Sequence, residues 1–132
     1  MSFCTAVNCM DGRVQGPIIS YLSKRFDGAY VDDITEAGPV NVLASDPESR
    51  RSKEIYRKID VSVNAHGSRL IAVVAHDDCA GNPKPKDAQL DDLRASVEVL
   101  RRRYPDLQVI PLWVGEDWQV EEVELGKPAL AE

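Results

Sequence analysis

The chain has 132 residues, a hydrophobic fraction of 43%, a charged fraction of 29% and a formal net charge of −6. Its length suits one domain with a single core, expected over residues 1–125, with 126–132 as a loose tail. The acidic balance disfavours nucleic acid, which needs clustered cations, and no apolar run is long enough to cross a bilayer. The start, Met1-Ser2 followed directly by "FCTAVNC", has neither a basic region nor a small-residue cleavage site, so a cytoplasmic location is expected.

The first apolar run, Phe3 to Cys9, is short and continuous and stops at Asp11-Gly12, as a buried strand does. Gly16-Pro17 opens a helical stretch in which Ile18, Ile19, Leu22 and Phe26 share a face, and Asp27-Gly28 ends it. A second strand follows from about Ala29 to Ile34, and "TEAGPVN" reads as a loop. Ser45-Asp46-Pro47-Glu48 is a helix start, with a capping side chain and proline at the first position. Ile55, Ile59 and Val63 give that helix one buried stripe, which His66-Gly67 closes.

The run "RLIAVVAH" is apolar enough to be a central strand covered on both faces, and it ends at His76. After the proline-punctuated loop "AGNPKPKDA", Leu90, Leu93, Val97, Leu100 and Tyr104 form another helical stripe, stopped by Pro105. Arg101-Arg102-Arg103 at its end complement the helix dipole. The last strand, "LQVIPLWV", contains Pro111 and so belongs near a sheet edge or at a bulge, and "WQVEEVEL" reads as an added short edge strand.

Strands alternating with helices predict an α/β fold, an open parallel sheet with helices on both faces. In such sheets ligands bind beyond the carboxyl ends of the strands, where the winding reverses. Cys9 ends the first strand and His76 the third; if these strands are neighbours, the two side chains converge. With Cys79 they would supply two thiolates and one imidazole, a donor set suited to zinc that leaves a fourth position open. Asp11 lies two residues past Cys9, where it could meet zinc or its water, and Arg13 could hold it by a two-pronged hydrogen bond. The plain alternative makes Asp11-Gly12 a turn and Arg13 a surface charge.

Cys-x-Asp-x-Arg after the first strand, with His-x-x-Cys after an apolar strand, resembles the β-class carbonic anhydrases over roughly Phe3 to Val114. The resemblance implies a strand order of 2-1-3-4, zinc held by Cys9, His76 and Cys79, and Asp11 and Arg13 as the catalytic pair. It implies reversible hydration of carbon dioxide to bicarbonate by a zinc-bound hydroxide, and a homo-oligomer, a dimer in the family's usual form. Two readings compete: a zinc hydrolase acting on carbonyl sulfide or carbon disulfide, and a zinc-binding homologue without catalysis. The chain departs from the family in three places. The N-terminal helical arm is expected to be missing, Thr35-Glu36 stand where Arg-Asn is usual, and Ala80-Gly81 follow the second cysteine where glycine is usual. Gln15 is close enough in sequence to reach the metal but reads as an exposed loop residue. Asp77 and Asp78 read as caps, Cys4 as core, His66 as structural, and Trp113 and Trp118 as cover for core or an interface.

Overall fold

The computed structural model describes residues 2–125, so the expected tail at 126–132 lies outside the described residues. The elements run β1 (Phe3–Cys9), α1 (Gly12–Arg25), β2 (Tyr30–Glu36), α2 (Pro39–Ser45), α3 (Arg50–His66), β3 (Leu70–His76), α4 (Lys86–Arg103), β4 (Gln108–Val114) and β5 (Val120–Glu122). They form one five-stranded sheet in the order β2-β1-β3-β4-β5. The first four strands are parallel and β5 is antiparallel to β4, so the expected order 2-1-3-4 and the added edge strand are both present.

β3 is buried at every position, which explains its unbroken apolar sequence. Ile71, Val73 and Ala75 face a core built with α2, α3 and α4, while Ala72 and Val74 face a second core built on α1. Residues such as Val14, Ile18 and Leu22 cover the α1 face, and Ile55, Ile59, Leu93, Val97 and Leu100 cover the other.

The structure differs from the sequence reading at three helix positions. α1 begins at Gly12, because Asp11 caps it by accepting the Arg13 backbone N–H at 2.9 Å, and Pro17 is accommodated inside the helix. The stretch read as a loop after β2 contains a short helix, α2, started by Pro39 and ended at Ser45. The cap of α3 is therefore Ser49 and not the Ser45-Asp46 pair; its hydroxyl accepts from the Ser52 N–H at 3.1 Å. α2 escapes the periodicity test because it is two turns long and three of its first four residues, Pro39, Val40 and Val42, are buried. Gly67 closes α3 as expected, at φ 70°.

Cys4 is core, as its position suggests, and burial, seconded by the charge of Asp32, pushes its thiol up to about 11. The unfolded thiol ionises near pH 9, so folding binds a proton more tightly and stability is lost as pH rises from about 9 to 11. A fall of about 1 kcal/mol per pH unit is expected across that window, and Cys4→Ala should flatten it in alkaline denaturation curves.

Candidate metal centre

β1 and β3 are adjacent, which brings their carboxyl ends together on one edge of the sheet. Cys9 and His76 are the last residues of those strands, and Cys79 follows in the turn after β3. One donor atom from each of Cys9, His76 and Cys79 lies within 4.8 Å of the others, and all three residues are buried. The three cysteines are free, with Cys4 packed in the core and not among these donors.

The local backbone builds a concave cradle for the two sulfurs. The Gly38 N–H, with that of Asp11, is directed at the Cys9 sulfur, and the N–H groups of Gly81 and Asn82 are directed at Cys79. The cradle closes because Gly38 and Gly81 pack backbone to backbone: a Cβ on Gly38 would lie 2.6 Å from the Gly81 carbonyl oxygen. Asn82 anchors the Cys79 turn to α4. Its Nδ2 donates to Gln89 Oε1 at 3.2 Å, and Gln89 Nε2 donates back to the Asn82 carbonyl at 2.6 Å.

The donor set can be tested against a metal ion. Two thiolates on one tetrahedral zinc, each at about 2.3 Å, lie about 3.8 Å apart. The Cys9 and Cys79 sulfurs are 3.8 Å apart. His76 Nδ1 is 2.7 Å from the Asp77 carbonyl, which fixes Nδ1 as the N–H and leaves Nε2 with the lone pair. That Nε2 is buried with no hydrogen-bond partner, which is what a metal-facing nitrogen requires. The donor set therefore fits zinc by chemistry and by spacing.

Protonation follows the same geometry. The Cys9 and Cys79 sulfurs share a hydrogen bond that, with the backbone N–H groups, favours a thiolate on Cys9, so Cys9 is held far below an ordinary thiol while Cys79 is pushed up. Burial disfavours the His76 cation, but the Cys9 sulfur and the Asp77 carbonyl outweigh it and the net shift is upward. A dication held here would take the place of the proton on Cys79 and use the free Nε2 lone pair of His76.

Asp11 and Arg13 meet as their spacing suggests. Arg13 Nη2 donates to Asp11 Oδ2 at 2.7 Å and Nε to Oδ1 at 3.1 Å, a bidentate pair. These bonds, with the Arg13 backbone N–H, hold the Asp11 carboxyl down at about 2. Gln15 is not an exposed loop residue: it sits in the first turn of α1, and its Nε2 donates to the carbonyls of Cys9 at 2.6 Å and Asp11 at 3.0 Å. It thereby staples the loop between the thiol and the carboxylate. No local pattern announces this, because a glutamine near a helix start has the same sequence signature whether it faces solvent or folds back.

Glu36 pairs with Arg51 of α3 at 3.4 Å and accepts the Ala37 N–H at 3.0 Å, so a cation from another element stands beside the anion in the altered segment. His66 is remote from the donors. It stacks on Phe3 at the start of β1, with ring centroids 4.1 Å apart, and its Nδ1 lies 2.6 Å from Asp32 Oδ2. No described helix is long and apolar enough to cross a membrane.

The family described as "Putative carbonic anhydrase" matches residues 1–124. No curated protein sequence matches the chain. Among solved structures, a carbonic anhydrase from Streptococcus mutans superposes with a TM-score of 0.65 at 18% identity, covering 91% of this chain and 81% of that one. A tetrameric β-carbonic anhydrase from Sordaria macrospora superposes with a TM-score of 0.65 at 12% identity, covering 96% and 83%. A β-carbonic anhydrase from Trichomonas vaginalis gives 0.57 at 16% identity, covering 89% and 80%. At these identities the structural likeness speaks for the fold, and the family match spans nearly the whole chain. With the order β2-β1-β3-β4-β5 and the donor cluster at the ends of β1 and β3, the chain belongs to the carbonic anhydrase family and has the fold of its β class.

Proposed function

We propose that the protein is a zinc-dependent carbonic anhydrase that interconverts carbon dioxide and bicarbonate, with Cys9, His76 and Cys79 holding the metal and Asp11 and Arg13 as the catalytic pair. The observation that carries this reading is the buried three-donor cluster together with an arginine-held carboxylate two residues beyond Cys9. Zinc, when bound, supplies a Lewis acid that brings the pKa of water from about 16 towards 7.

The chain's own residues would do the rest. Two thiolates and a neutral imidazole are three ligands, leaving a position for chemistry. Asp11, ionised at every working pH, only accepts hydrogen bonds, so it can orient the O–H of the attacking water but not donate to it. Arg13 keeps that carboxylate aimed, so the pair lowers the entropic cost of bringing water and carbon dioxide into line. Hydration releases one proton per bicarbonate, which passes to buffer.

A second reading keeps the metal and changes the electrophile to carbonyl sulfide or carbon disulfide. It draws on Thr35-Glu36 and on the Arg51 contact that accompanies Glu36. A homologue that holds zinc without catalysis is the third. We assign the protein to the cytoplasm, where free thiols persist, and to a homo-oligomer, in keeping with the tetrameric relative from Sordaria macrospora.

The test is a carbon dioxide hydration assay on protein of measured zinc content, beside Asp11→Ala. Wild-type protein is expected to exceed a metal-free control, and Asp11→Ala to lose about a hundredfold in kcat with zinc content unchanged. A wild-type rate equal to the metal-free control would overturn the carbonic anhydrase reading, and turnover of carbonyl sulfide by the same sample would establish the second.

A further inference from the structure

Three non-glycine residues among those described have a left-handed backbone: Asp27, Asp78 and Trp118. Two of the three, on elements far apart in sequence, touch Arg13. Asp78 at φ 55° accepts from Arg13 Nη1 at 3.2 Å through its carboxylate and from Nη2 at 3.1 Å through its carbonyl. Trp118 at φ 59° lays its indole over the guanidinium, with Cζ 4.5 Å from the ring centroid. Aspartate tolerates this backbone, but a bulky tryptophan at positive φ is an outlier that persists only where its surroundings over-determine it.

The surroundings are specific. Trp118 lies in the turn between β4 and β5, closed by its N–H donating to the Gly115 carbonyl at 2.9 Å and by the Gly115 N–H donating to the Gln119 carbonyl at 3.2 Å. The indole packs on the α1 core and presents its face to Arg13. Arg13 needs such a shelf, since its side chain is 46% exposed and a long exposed side chain explores many rotamers. The fork on Asp11 closes one side of the guanidinium, Asp78 a second, and the indole covers its face.

We propose that Trp118 is a positioning residue of the site: the strained β4–β5 turn holds its indole against Arg13 so that the guanidinium is pre-organised for its fork on Asp11. The β4–β5 turn, which carries no motif residue, thereby becomes part of the site. Its catalytic consequence rests on the carbonic anhydrase reading, whereas the indole–guanidinium contact does not.

The experiment uses the full chain in zinc-loaded and metal-free forms. Trp118→Phe keeps an aromatic face and is expected to hold kcat within about twofold, while Trp118→Leu, with bulk but no π face, loses about tenfold in kcat at unchanged KM and zinc content. Independently of turnover, the Arg13 Nε–H resonance, assigned by its loss in Arg13→Lys, should carry the indole ring-current shift and lose that shift in Trp118→Leu. Should Trp118→Leu not fold, Trp118→Gly, which relieves the left-handed backbone, takes its place. An Arg13 resonance that stays put, or Phe and Leu variants that lose rate equally and in step with Tm, would overturn the proposal. If the zinc-loaded wild type hydrates no carbon dioxide, the reading of the reaction falls and the resonance alone decides the role of Trp118.

Discussion

His76→Ala is expected to abolish zinc retention and, with it, the stabilisation that zinc confers. His76 ends the most buried strand of the sheet, and its Nε2 is a buried acceptor with no partner in the protein. Such an atom costs stability unless something external satisfies it, so a metal ion that does so is coupled directly to folding. Binding at hundredfold excess over Kd adds about 2.7 kcal/mol to the folded state. Wild-type protein should therefore show a rise in Tm with added zinc, and His76→Ala should show none. Elemental analysis after passage over a chelating resin gives the matching readout.

The same coupling fixes a pH dependence. Without metal, the Cys79 thiol and the His76 imidazole both hold protons more tightly than usual, so protons compete with zinc at two of its three ligands. Zinc retention should fall as pH falls, with protons taken up as the metal leaves. Asp11 takes no part in this competition above about pH 4, because Arg13 holds it ionised down to about 2. The acidic loss of zinc should therefore persist unchanged in Asp11→Asn.

What the sequence discloses and what it hides divide along a physical line. Cys9 and His76 are readable because each ends an apolar run, and an alternating α/β order leaves few ways to wind the sheet. The Asp11–Arg13 fork is readable because both partners sit within one turn of each other. Trp118 over Arg13 is not, since the contact spans the sheet and depends on a single backbone angle in the β4–β5 turn. Gln89, buried on α4, shows the same limit: within its helix it reads as an ordinary polar position, and only the fold reveals that it ties down the turn carrying Cys79. The helix after β2 was hidden for a different reason. Gly38-Pro39 looks like a turn, and it is one, with Gly38 at φ 57°, but proline in the first helical turn also continues it.

That glycine leads to the second large effect: Gly81→Ala is expected to destabilise the protein by about 3 kcal/mol and to weaken zinc binding by tenfold or more. A Cβ at Gly81 would lie 2.6 Å from the Ala37 carbonyl carbon and 2.7 Å from the Gly38 nitrogen, both backbone atoms. No rotamer change relieves such a clash, so one of the two loops must move. The loop after β2 carries the Gly38 N–H aimed at the Cys9 sulfur, and the loop after β3 carries Cys79 itself. Separating them lengthens the distance between the sulfurs and removes the N–H groups that favour the thiolates. Gly38→Ala should be at least as damaging, because its Cβ meets the Gly81 carbonyl at 2.6 Å and its backbone is left-handed as well. Gly16→Ala is the matched control: nothing lies within 4 Å of the added methyl, the residue is inside α1, and a gain of about 0.5–1 kcal/mol is expected from helix propensity. Chemical denaturation with and without zinc separates the two consequences. If the loops only support the fold, Gly81→Ala loses the same free energy in both conditions; if they shape the metal cradle, the loss grows when zinc is present.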